Sequence, residues 1–167
     1  ARKNSKLLWL PQDTILLSKS DLSRKITIHV EDDSELLAFD QIVLGRSAMG
    51  ENIKESNFHD NWKIYNGDRL VYFDQSGWKD YVPVNCAGLK GIKSYASFYY
   101  VGSKAEYFEQ KLRRMKQVYK NIYLGISLRN GCLLVRLFGS EARAIKDRAK
   151  NLLREIWQLD TPNVWKL

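Results

Sequence analysis

The sequence is poor in the residues that most often build metal and catalytic sites. It has two cysteines, Cys86 and Cys132, and two histidines, His29 and His59, and none of the four is close to another along the chain. This spacing fits neither a disulfide framework nor a zinc site, so both cysteines are predicted to be buried thiols. The histidines form no recognisable base and nucleophile pair, and we therefore expect a protein that is not an enzyme.

Phosphate-binding loops and long apolar runs are missing as well. The glycines at 45, 88 and 91 lack the spacing that cradles a nucleotide. No apolar run approaches the length of about 18 residues that spans a bilayer, and the first six residues lack the apolar segment of a signal peptide. We therefore predict a cytoplasmic chain without membrane contact. With 44% hydrophobic and 12% aromatic residues, it can bury a substantial core.

What the sequence does have is an uneven distribution of charge. Residues 1–85 hold 11 Lys and Arg against 13 Asp and Glu, whereas residues 86–167 hold 16 against 6. A basic half can bind a polyanion, because every neutralised phosphate releases counterions. Solvated basic faces and contacts with an acidic protein are commoner, so we favour these over nucleic acid.

The pattern of apolar residues predicts strands in the first half. Pro11 interrupts two short apolar runs and predicts a bend between two strands. Residues 24–30 alternate and place Ile26, Ile28 and Val30 on one face, while the apolar run 35–44 is typical of a strand that is buried on both sides. The pair Asn66-Gly67 favours a β-hairpin.

Helical spacing appears in the second half. A strand over residues 94–101 is followed by a capping box, Ser103 with Glu106, that predicts a helix start. The apolar stripe of this helix comprises Phe108, Leu112, Met115 and Tyr119. Asn130-Gly131 predicts a second hairpin, and Ser140 is placed as the cap of a final helix through about residue 159. The buried stripe of the final helix comprises Ile145, Ala149, Leu152, Leu153 and Ile156.

These elements predict a mainly β protein with two C-terminal α-helices, of the α+β class. Residues 1–75 are expected to form a layer of β-strands, and residues 76–167 a strand, helix, hairpin and helix subdomain. We expect the two parts to form one compact unit.

Asp40 is the most unusual residue of the first half, since it interrupts an apolar strand. A carboxylate is costly to bury without a partner. One interpretation is an ion pair or a backbone hydrogen bond, for example with Arg46. The other is a wet interior path in which carboxylate oxygens hold a divalent cation briefly, with Asp13, Glu51 and Asp74 along the same path.

Several motifs in residues 7–51 resemble the urease accessory protein UreD, also called UreH. They include Trp-Leu-Pro-Gln followed by an acidic residue, and a Leu-Leu-Ala-Trp-acidic segment in which Phe39 replaces Trp. A Leu-Gly-Arg motif and a Gly-Glu pair follow in the order that the family has. The motif positions are Trp9, Pro11, Gln12, Gly45, Arg46 and Gly50. Glycine-rich motifs that lie upstream in the family have no counterpart, so the chain resembles its C-terminal three-fifths.

The resemblance implies a β-helical or stacked-sheet body and a non-catalytic scaffold for nickel insertion. Such a scaffold joins UreF and the GTPase UreG and docks on apo-urease, with nickel passing through an interior tunnel as cargo and no tightly bound cofactor. Asp40 is the first candidate for contact with the ion, and Asp13, Glu51 and Asp74 follow it; no high-affinity metal site is implied. The alternatives are a basic nucleic-acid-binding module that uses the cluster after Lys104, and a fragment without function.

Overall fold

The fold is built from nine strands and two α-helices within the residues that the computed structural model describes, which are 1–46, 49–83, 89–115 and 121–166. The strands are β1 (Lys6–Trp9), β2 (Thr14–Leu16), β3 (Asp21–Val30), β4 (Glu35–Leu44), β5 (Asn57–Asn66), β6 (Arg69–Trp78), β7 (Ser94–Val101), β8 (Ile122–Arg129) and β9 (Cys132–Gly139). The helices are α1 (Ala105–Arg114) and α2 (Ala142–Leu152). This composition confirms the predicted α+β class.

The strands form two sheets. The larger sheet has the order β1-β4-β7-β9-β8, and β2 also pairs with β4. The smaller sheet has the order β3-β5-β6. The larger sheet thus takes strands from both sides of residue 75, and β6 extends past that position to Trp78.

The chain passes back and forth between the sheets in its first half. β1 and β2 lie in the larger sheet, β3 in the smaller, β4 in the larger and β5 in the smaller. Consecutive strands within each sheet are parallel here, as in the pairs β1 with β4 and β3 with β5. From β6 onwards the pairing is antiparallel. The result is a body of two stacked sheets, as expected.

β4 is covered on both faces, which explains its nearly continuous apolar sequence. One face of the larger sheet packs on α1 and α2 and includes Leu37 and Phe39. The opposite face packs on the smaller sheet and includes Leu36, Ala38 and Ile42. The molecule therefore has three layers: the larger sheet lies in the middle, with the helices on one face and the smaller sheet on the other.

The apolar contacts between the sheets fall into two separate clusters. One contains Ala38 and Trp62, and the ring of Trp9 lies 5.2 Å from that of Trp62. The other contains Ile42 and Phe58. The positions between the two clusters on β3, β4 and β5 are polar.

Both helices bury the stripes that the sequence predicts, but they begin differently. Phe108, Leu112 and the whole stripe of the second helix are buried and Met115 is partly buried, whereas Tyr119 lies outside the described residues. The predicted caps at Ser103 and Ser140 are wrong, because the N-cap residues are Lys104 and Glu141 and neither helix has a side-chain cap. α2 also ends earlier than predicted, and a π-helical turn, Leu153–Trp157, continues it.

The two predicted hairpins are present. Asn130 and Gly131 both have positive φ angles, 51° and 79°, as the tight turn requires. In the other hairpin the turn is shifted by one residue, because Asn66 ends β5 and Gly67, with a φ of 57°, begins the turn. None of the helices in the described ranges is long and apolar enough to cross a membrane.

Candidate functional site

A row of polar residues crosses the inner face of the larger sheet. Asp40 of β4 pairs in register with Ser97 of β7, and Ser97 pairs with Arg136 of β9. Asp40 is only 6% exposed and Ser97 only 7%. Each stands at a position where the neighbouring inward residues two steps away are mostly apolar. The row thus interrupts the apolar interface between the sheets.

A matching row crosses the smaller sheet and faces the first. Arg24 of β3 pairs in register with Asp60 of β5, and Asp60 pairs with Ser76 of β6. Asp60 is 4% exposed. Because strand residues alternate between faces, Asp60 lies on the same side as the buried Phe58 and Trp62.

Arg24 joins the two sheets through both carboxylates. Its Nη1 and Nη2 donate to the two oxygens of Asp40 at 3.1 and 2.6 Å. Its Nε and Nη2 donate to the two oxygens of Asp60 at 2.9 and 2.6 Å. Nη1 also donates to Thr14 Oγ1 at 3.3 Å, so all five guanidinium N–H donors have an acceptor within reach. The suggestion that Arg46 pairs with Asp40 is therefore wrong.

A second ion pair lies on the same side of the larger sheet. Arg136 pairs with Asp74 of β6, and Arg136 Nη2 also donates to the hydroxyl of Tyr72 at 2.9 Å. The Tyr72 hydroxyl in turn donates to Asp74 Oδ2 at 3.1 Å. This pair is more open than the first, since about a third of each side chain is exposed (34% for Arg136 and 29% for Asp74).

A cavity of about 410 Å³ lies between the sheets and touches both ion pairs. Three carboxylates, those of Asp40, Asp60 and Asp74, line it together with Arg136. The remaining lining is mixed and includes Ser97 and several aromatic side chains. A space with this lining has apolar walls as well as polar groups, and it is large enough for several water molecules.

Burial changes the acidities of the groups around the cavity. Desolvation raises the pKa of the Asp40 carboxyl, although the hydrogen bonds from Arg24 oppose the change. For Arg24, burial by itself lowers the pKa, but the hydrogen bonds to Asp60 and Asp40 outweigh it and raise the pKa. Burial also raises the pKa of Tyr72 to about 12, so this phenol is neutral at physiological pH.

The charges around the cavity do not cancel. With every carboxylate ionised, three negative charges face the two guanidinium groups of Arg24 and Arg136. One negative charge is left over in a partly buried space. Such an arrangement attracts cations and disfavours anions.

Asp13 and Glu51, the other two acidic candidates, are not among the residues that line this cavity. Asp13 pairs with Lys146 of α2. The Lys146 ammonium lies 4.7 Å from the ring centre of Phe39 and 4.0 Å from that of Trp165, and burial lowers its pKa. This group of residues fastens α2 to the chain before β2 and to the C-terminal tail.

Glu51 belongs to a surface loop that also contains three of the motif positions. It accepts hydrogen bonds from Arg46 Nε at 2.7 Å and from the Ser18 backbone at 2.9 Å. Gly45 has a φ of 76°, and a β-carbon there would stand 2.8 Å from the Glu51 carbonyl oxygen. Gly50 likewise has a positive φ of 75°. Gly45 is thus explained by the close approach of the Glu51 backbone and by its positive φ, and Gly50 by its positive φ alone.

Two further motif positions hold the C-terminal tail. The Pro11 carbonyl oxygen accepts a hydrogen bond from Trp165 Nε1 at 2.7 Å, and Gln12 Nε2 donates to the Val164 carbonyl at 3.1 Å. Trp165 is buried, so the C-terminal tail is docked on the body of the protein. These motif residues therefore have structural roles at the opposite side of β4 from the cavity.

Arg24 and Asp60 are the site residues that sequence reasoning missed. The signal was present for both, because each lies at an even spacing from apolar residues on the buried face of its strand. Arg24 lies two and four positions before Ile26 and Ile28, and Asp60 lies two positions before Trp62, so the alternation of strand residues puts both on the inner face.

The donor set around the cavity consists of carboxylate, hydroxyl and amide oxygens. Within the described ranges, no three His, Cys, Asp or Glu side chains come together to hold a metal ion. His29 and His59 lie on the outer face of the smaller sheet, where His29 stacks on Tyr65 at 4.9 Å. Cys132 is buried and free, and Cys86 lies outside the described residues. Oxygen donors without nitrogen or sulfur bind transition metals weakly.

The fold and the site define a class of two-sheet β protein with a helical layer on one side and a charged cavity between its sheets. Comparison with known families makes the assignment specific. The family model of the UreD urease accessory protein matches residues 1–166, and the chain belongs to this family.

Curated relatives support the same assignment. The urease accessory protein UreD of Methylobacterium sp. (strain 4-46) is 32% identical over 169 residues, which cover 97% of this chain and 60% of that protein. UreD of Rhizobium leguminosarum bv. viciae is 32% identical over 95% of this chain and 59% of its own length. UreD of Agrobacterium fabrum is 31% identical over 100% of this chain and 59% of its own length. The chain thus spans about three-fifths of these relatives.

Proposed function

We propose that this chain acts in the cytoplasm as a non-catalytic scaffold in urease maturation. In this role it assembles with UreF, UreG and apo-urease, and nickel passes through it as cargo on the way to the urease active site. Family membership over residues 1–166 supports the role in urease maturation. The observation that carries the nickel path is the cavity between the sheets, into which three carboxylates point.

The composition of the cavity suits passage of an ion better than storage. A conduit must bind its ion weakly enough to release it. Asp40, Asp60 and Asp74 offer oxygen atoms, and two arginines already engage them. We therefore assign the ion contacts to these three carboxylates. A path that also includes Asp13 and Glu51 stays a prediction, because neither lines the cavity.

The nucleic-acid alternative depends on basic residues that are free to contact phosphates, and several of those in the second half have partners within the protein. In the second half, Arg113 pairs with Glu109 and Lys150 with Asp147. Lys146 is buried against aromatic rings. These three cations are engaged within the protein, whereas Lys104 and Arg114 of the basic cluster are exposed, so we prefer the nickel path because of the cavity.

The test is urease activation by a variant in which Asp40 is replaced by Asn. Asp40→Asn keeps the size of the side chain, removes its charge and leaves Arg24 bound to Asp60. The natural full-length protein is co-expressed with urease, UreF and UreG. We expect the partners to copurify as before, while the nickel content and activity of urease fall roughly tenfold, the lower end of the range for losing a residue that supports a metal.

Glu109→Gln is the matched control. It also removes one carboxylate from an ion pair, but on the exposed face of α1 and away from the cavity. Urease nickel content should match the wild type in this control. Wild-type activation by Asp40→Asn would contradict the proposed path.

A further inference from the structure

The most solvent-accessible member of the buried ion cluster is its cation. The Arg24 side chain is 19% exposed, whereas those of Asp40 and Asp60 are 7% and 5% exposed. Arg24 also lies on β3, which is an edge strand of the smaller sheet. The guanidinium is therefore the charged group of the cluster nearest to solvent, while both carboxylates lie on strands with neighbours on each side.

The two carboxylates converge on one atom of Arg24. The Oδ2 atoms of Asp40 and Asp60 both lie 2.6 Å from Nη2. Two carboxylate oxygens that close in on a single point form the kind of opening in which a divalent cation binds. Here that point is occupied by the guanidinium nitrogen.

Asp40 and Asp60 line the cavity, whereas Arg24, which contacts both of them, is not among the lining residues. An ion that arrives through the cavity therefore meets two carboxylates whose charge is already shared with a guanidinium. The attraction between the ion and the carboxylates is weakened by the positive charge of Arg24, because charges interact strongly where there is little solvent to screen them.

We propose that Arg24 is a resident competitor for the divalent cation, and that it determines how weakly Asp40 and Asp60 hold an ion. This inference rests on the proposed nickel path, because it concerns the same cavity. Without Arg24 the two carboxylates hold Ni²⁺ more tightly than they do with it, although an all-oxygen site stays weaker than one with nitrogen or sulfur ligands. With Arg24 the ion gains access only as the guanidinium moves aside, and it leaves when the guanidinium returns.

Direct nickel binding to the purified full-length protein tests the proposal. Isothermal titration with NiCl₂ at pH 7 compares the wild type with Arg24→Gln, which removes the charge, and with Arg24→Lys, which keeps it but cannot bond both carboxylates bidentately. We expect Arg24→Gln to bind one Ni²⁺ at least about tenfold more tightly than the wild type, with Arg24→Lys in between. Adding Asp40→Asn to Arg24→Gln should abolish the gain.

Equal affinities of the wild type and Arg24→Gln would overturn the proposal, and so would a gain that survives Asp40→Asn. Circular dichroism establishes whether each variant is folded. If Arg24→Gln does not fold, the comparison of Arg24→Lys with the wild type decides, and equal affinities there overturn the proposal as well.

The outcome is separable from that of the proposed function. Tight nickel binding by Arg24→Gln together with normal urease activation by Asp40→Asn would leave Arg24 as the competitor at a site that maturation does not use. Loss of activation by Asp40→Asn without any gain in Arg24→Gln would keep the path and remove the role of Arg24.

Discussion

Replacing Arg24 should destabilise the protein more than replacing either of its acidic partners. Arg24→Gln leaves two carboxylates between the sheets, 7% and 5% exposed, with no cation between them. Removing one partner of a buried ion pair typically costs about 3–5 kcal/mol, because the remaining charge is uncompensated. Asp40→Asn, in contrast, leaves Arg24 with both of its hydrogen bonds to Asp60. We expect it to cost about 1.5–3 kcal/mol, the range for a hydrogen bond to a charged group.

The two substitutions should also be strongly non-additive. In the double variant with Arg24→Gln and Asp40→Asn, a single carboxylate stays without a cation. Its total loss should therefore be smaller than the sum of the single losses by about 1 kcal/mol or more. Urea unfolding followed by tryptophan fluorescence measures all three values. Arg113→Gln is the control, because its i,i+4 pair with Glu109 lies on the surface and should contribute less than about 1 kcal/mol.

The effect should depend on pH in a defined direction. The folded-state pKa of Asp40 is raised above its ordinary value, so ionising this carboxyl disfavours folding. Loss of the Arg24 hydrogen bonds raises the pKa further. The destabilisation by Arg24→Gln should therefore be largest near pH 7 and shrink as the pH falls through the raised pKa of Asp40. A loss in Arg24→Gln no larger than in Asp40→Asn, or additive losses, would refute the reasoning about the shared cation.

Two more predictions concern the side of the larger sheet that faces the helices and the buried thiol. Trp165→Ala should lower the free energy of unfolding by about 3 kcal/mol or more, because Trp165 is 4% exposed and contacts Lys146 and Pro11. A loss under about 1 kcal/mol in urea titrations would contradict this. Burial raises the pKa of Cys132 to about 12, so its thiol should resist iodoacetamide at pH 8 until urea unfolds the chain. Peptide mass spectrometry measures the labelling, and rapid labelling of Cys132 in the folded protein would contradict its burial.

Local sequence signals predicted the elements of the fold well where one physical requirement dominates. Asn130-Gly131 forms the expected turn because its backbone needs two positive φ angles. The run around Asp40 predicted a strand covered on both faces because only such a strand tolerates apolar residues on each side. The prediction of the helix caps was wrong because a local motif does not by itself decide where a helix begins. Ser103 suits a capping role, but α1 begins after Lys104, where packing of Ala105 and Phe108 on the sheet fixes the first turn.

The partner of Asp40 depends on information that no local pattern holds. Arg24 lies 16 residues before it, in the other sheet, and Asp60 lies 36 residues from Arg24. Which strands face each other, and in which register, follows from how the chain passes between the sheets. Sequence proximity favoured Arg46, only six positions away, but that side chain turns outward to Glu51 because the loop after β4 bends sharply at Gly45.

A general rule nevertheless follows from the three strands that build the cluster. β3, β4 and β5 each carry one charged residue, Arg24, Asp40 and Asp60, at a position that the alternation of apolar neighbours assigns to the interior. A single such residue is ambiguous, since it can mark an edge, a bulge or a site. Three such residues that include both charges indicate an ion cluster. Each is costly to bury alone, and two sheets packed face to face can bring them together. The surplus of two acids over one base then gives the cluster a net negative charge, which favours a cation over an anion.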